Sequence, residues 1–170
     1  RQAIQYDCDG TYSGTQLLKD IHTQNFVGEI KMQKYNNNLY FFAIGELWKS
    51  DGTTSGTNSF SNIYSNSFDG FEVNGKLVFY TSNNELWVTE GTTINNTFLQ
   101  TIGNVSKVVK FKNKVYLESS TEFYETDGTS VGTVISPINT NPIALNYFAT
   151  SSDGNYLILE KAVQSPYVYY

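Results

Sequence analysis

The chain has 170 residues, of which 39% are hydrophobic and 15% aromatic, and its formal net charge is −5. This composition is too apolar for a disordered chain, and no apolar run approaches the roughly 20 residues of a membrane-spanning helix. The acidic balance argues against a nucleic-acid or anionic-membrane partner, either of which would need a clustered basic face, and the short apolar runs predict no membrane insertion.

Four short stretches of the chain resemble one another. They are CDGTYSGT, SDGTTSGT, TEGTTINNT and TDGTSVGT, and their acidic residues are Asp9, Asp51, Glu90 and Asp127. Successive acidic residues are 42, 39 and 37 residues apart. A period of about 40 residues indicates a repeat architecture, in which each unit is one small supersecondary structure.

In chain order, the first unit is partial. Residues 4–21 supply the third and fourth strands of a unit, and QLLKDIH at 16–22 is predicted to be a strand from its place in the repeat. Residues 144–170 supply a first and a second strand, and the final YVYY falls where a third would lie. Between them, three complete units are predicted at 28–64, 68–103 and 106–138.

The unit at 68–103 shows the template. FEV ends before Asn74-Gly75, a dipeptide typical of a type I′ hairpin turn, which needs positive φ at both central positions. Equivalent turns are predicted at Asn36-Asn37-Asn38, Asn113-Lys114 and Asp153-Gly154. Three further strands follow the turn in this unit, namely KLVFYT, ELWVT and TFLQTI.

The second strands are apolar at consecutive positions. They are LYFFAI at 39–44, VYLES at 115–119 and YLILE at 156–160. A strand with one face in solvent would alternate apolar and polar residues. We therefore expect LYFFAI and YLILE to be covered on both faces. Four antiparallel strands per unit, covered on both faces, are typical of the blades of a β-propeller.

The predicted fold class is therefore all-β, with four-stranded antiparallel propeller blades. Both partial units contain a candidate third strand, so they overlap and do not complement each other. We therefore expect the chain to be an excerpt of a larger propeller, and a closed four-bladed ring is the less favoured alternative.

One phrase carries a family resemblance. ELWKSDGTTSGT at 46–57 resembles the ELWxxDGTxxGT repeat of secreted and cell-surface bacterial proteins, and LLKDI at 17–21 matches the LVKDI continuation of that repeat. The resemblance runs from Asp9 to about Glu160 and is most specific in the first two full units. It implies an exported protein, often an adhesin and in some cases a substrate of type IX secretion. It implies no chemistry.

The Asp-Gly-Thr corners have two possible interpretations. Asp9, Asp51 and Asp127 could be calcium ligands, since hard cations prefer carboxylate oxygens. Each corner supplies a single acid, however, and Asp-Gly pairs commonly form turns in which the carboxylate accepts backbone N–H groups. We favour the turn and predict no metal or cofactor.

The Glu-x-aromatic strands also have two readings. Glu46, Glu85 and Glu122 each lie two residues before an aromatic residue, on the same strand face; the aromatic residues are Trp48, Trp87 and Tyr124. At the rim of a blade, such a pair could bind a sugar, with the aromatic ring stacking on the sugar and the carboxylate accepting from its hydroxyl groups. We favour packing between neighbouring blades, because one buried aromatic side chain stabilises a fold by roughly 4–6 kcal/mol at most.

Nucleophilic chemistry has little support in the sequence. Cys8 and His22 are the only residues of their types, and no third group to orient a dyad is recognisable. The single cysteine also excludes an intrachain disulfide. The Asn95-Asn96-Thr97 and Asn104-Val105-Ser106 sequons are expected by chance in an Asn- and Thr-rich chain.

Together these patterns predict a non-catalytic binding or adhesion module of an exported surface protein. Its partner would be a glycan or an envelope protein, and its location extracellular or at the cell surface, as part of a larger chain or complex. A rigid scaffold that binds nothing is the alternative. A propeller enzyme with its active site in further blades is the third hypothesis.

Overall fold

The structure is a computed structural model that describes residues 4–7, 10–21, 31–65, 68–93, 95–138 and 145–161. Within these ranges the chain is all-β, with no helix. No described segment is therefore a helix capable of crossing a membrane. The strands are β1 Ile4–Asp7, β2 Gln16–Asp20, β3 Met32–Tyr35, β4 Asn38–Ala43, β5 Glu46–Ser50, β6 Asn58–Tyr64, β7 Phe68–Val73, β8 Lys76–Thr81, β9 Glu85–Thr89, β10 Asn96–Thr101, β11 Val105–Phe111, β12 Lys114–Ser119, β13 Phe123–Thr126, β14 Val134–Ile135, β15 Leu145–Thr150 and β16 Leu157–Lys161.

The strands form five sheets, each built in chain order. The first sheet is β1–β2 and the fifth is β15–β16. The second (β3–β6), third (β7–β10) and fourth (β11–β14) sheets each have four strands, and every strand pairs antiparallel with the next. This confirms the all-β fold and the four-stranded antiparallel units. The division into propeller blades stays a prediction, and YVYY lies outside the described residues.

The hydrophobic core lies between successive sheets. Ile21 packs against Phe41 and Trp48, which joins the first sheet to the second. Aromatic residues of the second sheet pack against Leu77 and Phe79 of the third. A large cluster of aliphatic residues and Tyr124 joins the third sheet to the fourth, and Leu157 and Leu159 of the fifth sheet pack against Tyr116 and Phe123 of the fourth. Each sheet is therefore stacked on the one before it in the chain.

The second strands show why consecutive apolar residues are needed. Phe41 belongs to the core between the first and second sheets, whereas Phe42 belongs to the core between the second and third. Val115, Tyr116 and Leu117 of β12 are likewise buried. Coverage on both faces is confirmed for LYFFAI. In YLILE, Leu157 and Leu159 face the fourth sheet, whereas Ile158 on the other face is 43% exposed among the described residues, so coverage of that second face stays a prediction.

The turns follow the predicted chemistry with three corrections. The first is that Asn38, predicted as a turn residue, begins β4 and pairs with Tyr35. Asn74 and Gly75 have φ values of 50° and 71°, as a type I′ turn requires. β4 ends at Ala43, so Ile44, predicted as a strand residue, lies in the turn with a φ of 51°. The turn predicted at Asn113-Lys114 is at residues 112–113, because Phe111 pairs with Lys114 across the hairpin.

Candidate functional site

The corner between β5 and β6 is held by its own side chains. The Asp51 Oδ1 atom accepts hydrogen bonds from the backbone N and the hydroxyl of Thr53, at 2.9 and 2.7 Å. The Thr53 hydroxyl oxygen in turn accepts from the Gly56 N–H at 2.9 Å. The buried hydroxyls of Ser50 and Thr57 close the base of the corner at 2.7 Å. We call this set of bonds the aspartate clasp.

The same clasp recurs between β13 and β14. Asp127 Oδ1 accepts from the N–H and hydroxyl of Thr129 at the same two distances, 2.9 and 2.7 Å. Thr129 accepts from Gly132, and the Thr126 and Thr133 hydroxyls lie 2.8 Å apart. Each residue type in the phrase DGTxxGT thus has a structural role. The prediction that the corners are turns held by their aspartates is confirmed for Asp51 and Asp127. Asp9 lies outside the described residues.

The glycines of the clasp are required for two different reasons. Gly52 and Gly128 have φ values of 90° and 85°, a conformation that L side chains rarely adopt. At Gly56 and Gly132 the constraint is space, because an added Cβ would overlap the carboxylate of Asp51 or Asp127. The spacing of the two glycines in the repeat therefore follows from the clasp.

The clasp also sets the charge of its aspartates. Hydrogen bonds from the Thr53 side chain and backbone lower the pKa of Asp51, and those from Thr129 lower the pKa of Asp127. Each carboxylate is therefore ionised, with one oxygen engaged in the clasp. In the described parts of the chain, no three metal-ligating side chains form a group that could hold an ion.

The corners also contact the preceding sheet. The Thr54 hydroxyl donates to the Leu18 carbonyl oxygen of the first sheet at 2.9 Å. Gly91, at the third-sheet corner, lies against Tyr35 and Tyr40 of the second sheet. Gly128 lies against Val73 and Val78 of the third sheet. These contacts join sheets that are consecutive in the chain, and the sequence pattern gave no sign of them.

The strand-three aromatic residues pack between sheets. Trp48 and Tyr124 are buried, and Trp87 packs half-buried against the aromatic core between the second and third sheets. The Trp87 indole N–H donates to the Glu85 carboxylate at 3.0 Å, whereas the buried Trp48 N–H has no partner among the described residues. The contacts favour packing as their main role. The Cys8–His22 dyad lies outside the described residues.

A polar depression lies beside the clasp of the second sheet. It has a volume of about 350 Å³ and is lined by Asn38, Lys49, Asp51, Gly56, Asn58, Ser59 and Phe60. The Lys49 ammonium lies 5.4 Å from the centre of the Phe60 ring and donates to the Gly91 carbonyl of the third sheet. The depression therefore combines amides, a hydroxyl, both charges and an aromatic edge at the boundary between two sheets.

The third sheet brings an aromatic pair to the same boundary. Phe98 contacts Trp87 edge to face, with ring centroids 5.5 Å apart, and Phe98 is 43% exposed. Trp87 packs against the core cluster that contains Phe60. The sequence alone did not single out Lys49, Asn58 or Phe98, because their role depends on which faces of the two sheets meet.

The chain has little similarity to known proteins. No protein-family model matches the chain, and no curated protein matches it. The crystal structure of the glutaminyl cyclase of Myxococcus xanthus is 18% identical and matches over 86% of this chain and 72% of that chain, with a TM-score of 0.39. A similarity this low carries no argument about the activity of this chain.

Proposed function

We propose that this chain is a β-propeller segment that acts as a non-catalytic binding module of an exported bacterial surface protein, with a glycan as its ligand. Stacking of four-stranded meanders in chain order supports the propeller, since blades are packed in this way around an axis. The first strands of neighbouring sheets also lie side by side, as β3 does with β7 and β11 with β15.

The depression beside the second-sheet clasp is the observation that carries the binding function. Its amides, hydroxyl, carboxylate and ammonium can donate to and accept from the hydroxyl groups of a sugar. Its volume lies within the range of small-molecule sites. The exposed Phe98 ring adds an apolar surface for the C–H face of a sugar ring at the same boundary.

A glycan array with the intact protein tests this function. Ser59→Arg places a long side chain in the depression, at a site where the native side chain is exposed. Ser130→Arg makes the same change at an exposed position of the fourth-sheet corner and is the matched control. We expect binding to be lost in Ser59→Arg and retained in Ser130→Arg, with equal melting temperatures. An array on which the native protein binds no glycan would refute the proposal.

A rigid scaffold is the second candidate, and the clasp favours it. Most polar groups of the repeated phrase are used within the corner or against the preceding sheet, which leaves few of them for a ligand. This candidate predicts that substitutions at exposed turn residues without contacts between sheets, such as Asn37, leave the function of the parent protein unchanged. A propeller enzyme with its active site in further blades is the least supported alternative.

A further inference from the structure

The only Asn-Gly pair of the chain connects two sheets. Asn74 lies in the β7–β8 turn of the third sheet, and its side-chain amide donates to two carbonyl oxygens of the fourth sheet. These are the carbonyls of Asn113, in the β11–β12 turn, at 3.1 Å and of Asp127, in the corner, at 3.0 Å. One amide group therefore bridges the turn of one sheet to the turn and the corner of the next.

The same residue has the local chemistry for conversion to an acid. Gly75 has no side chain to shield its peptide nitrogen, and it occupies a two-residue turn outside the Val73–Lys76 strand pair. That nitrogen, on losing its proton, can attack Asn74 Cγ and form a C–N bond. The Cγ–Nδ2 bond then breaks, and the departing NH2 group takes up a proton and leaves as ammonia. Water then opens the cyclic imide and leaves an aspartate or an isoaspartate at position 74.

We propose that Asn74 is a deamidation site whose conversion loosens the contact between the third and fourth sheets. A carboxylate accepts hydrogen bonds but cannot donate them, so both bridging bonds are lost. The new negative charge also faces the two carbonyl oxygens that the amide had satisfied. Conversion therefore changes an attractive contact into a repulsive one. This inference does not depend on the proposed ligand.

The second sheet supplies an internal control. Its equivalent turn, Asn36-Asn37, also has positive φ at both positions, but Asn37 stands where the third sheet has Gly75, and Asn38 follows it. Asn37 is exposed, and no side-chain hydrogen bond of Asn37 is present in the described structure. An acid at position 37 therefore adds the same charge in the same turn type without removing a bridge.

Peptide mass spectrometry on the intact protein, incubated at mildly alkaline pH, measures the conversion. We expect the amide-to-acid mass shift at Asn74 well before it occurs at residues 36–38. Asn74→Asp represents the product, and we expect it to melt at a lower temperature than Asn37→Asp. Conversion at Asn74 no faster than at residues 36–38, or equal melting of the two variants, would overturn the proposal.

A third variant covers the case in which Asn74→Asp fails to fold. Asn74→Gly removes both donors but adds no charge, and glycine tolerates the positive φ of this position. We expect Asn74→Gly to fold and to melt below the native protein. Melting of Asn74→Gly at the native temperature would show that the bridge contributes nothing, which would also overturn the proposal.

Discussion

The corner of the third sheet differs from those of the second and fourth sheets because it lacks the aspartate clasp. Glu90 occupies the acidic position there and forms an ion pair with Lys76 at 3.2 Å. The third corner nevertheless keeps the hydrogen bond from the Gly91 N–H to the Thr89 hydroxyl, and Gly91 has a φ of 90°. It also keeps the contact of Gly91 with the preceding sheet.

This comparison separates two roles that the repeated phrase combines. The clasp shapes a single corner, and a sheet can be built without it. The hydroxyl before the acid accepts from the N–H of the glycine after it in all three corners. At the third and fourth corners this glycine lies against the preceding sheet, whereas the second corner contacts the preceding sheet through the Thr54 hydroxyl. We therefore expect changes at contacts between sheets to cost more stability than changes within the clasp.

The largest loss of stability is expected when the aromatic residues that pack between sheets are replaced by alanine. Trp87→Ala removes a side chain from the core between the second and third sheets, and we expect a loss of about 3 kcal/mol in the free energy of unfolding. Trp48→Ala should lower thermal stability in the same way. Urea unfolding measures both, and Phe98→Ala, at an exposed position, is the control with a loss of about 1 kcal/mol. Equal midpoints for Trp87→Ala and the native protein would contradict this.

The next largest loss of stability is expected for substitution of two glycines that have the same backbone conformation. Gly52→Ala and Gly128→Ala both place a Cβ at a φ near 90°, which costs about 1–2 kcal/mol. The added Cβ meets no atom within 4 Å at Gly52 but lies 3.3 Å from the Val73 side chain at Gly128. We expect Gly128→Ala to lose about 1 kcal/mol more in unfolding experiments. A larger loss for Gly52→Ala would show that the contact with the preceding sheet is unimportant.

A double-mutant cycle isolates the clasp itself. Gly132→Ala pushes the Asp127 carboxylate away from Thr129, and we expect a loss of about 1–2 kcal/mol because charge-assisted hydrogen bonds are broken. In an Asp127→Ala background the added Cβ meets no carboxylate, so Gly132→Ala should be nearly neutral. Losses that simply add in the double variant would mean that the two residues are not coupled.

The smallest effect is the acid dependence of stability. The pKa values of Asp51 and Asp127 are lower in the folded chain, so their contribution is present above the unfolded pKa, near 4, and is lost as the pH falls through the folded value. Thermal melts below pH 4 measure it. Thr53→Val with Thr129→Val should flatten the decline. Part of it should remain, since Ser151 and Asn155 lower the pKa of Asp153 to about 2.

The sequence predicted what is local in this fold. Asn74-Gly75 specified its turn because few residues tolerate two positive φ angles, and consecutive apolar residues in β4 indicated a strand covered on both faces. The turn position of Ile44 could not be predicted, because strand register and not propensity places it there. The depression at Lys49 and Asn58 could not be predicted from the sequence either, because its position depends on which faces of the two sheets meet.

Stacking in chain order has a consequence for folding. Neighbours in sequence are neighbours in space, so the free energy can be written as a term for each sheet plus a term for each pair of adjacent sheets, as in a linear array. In such an array structure can nucleate at any adjacent pair and spread outward. The third and fourth sheets, whose shared cluster has the most buried residues in the described parts of the chain, are the natural nucleus.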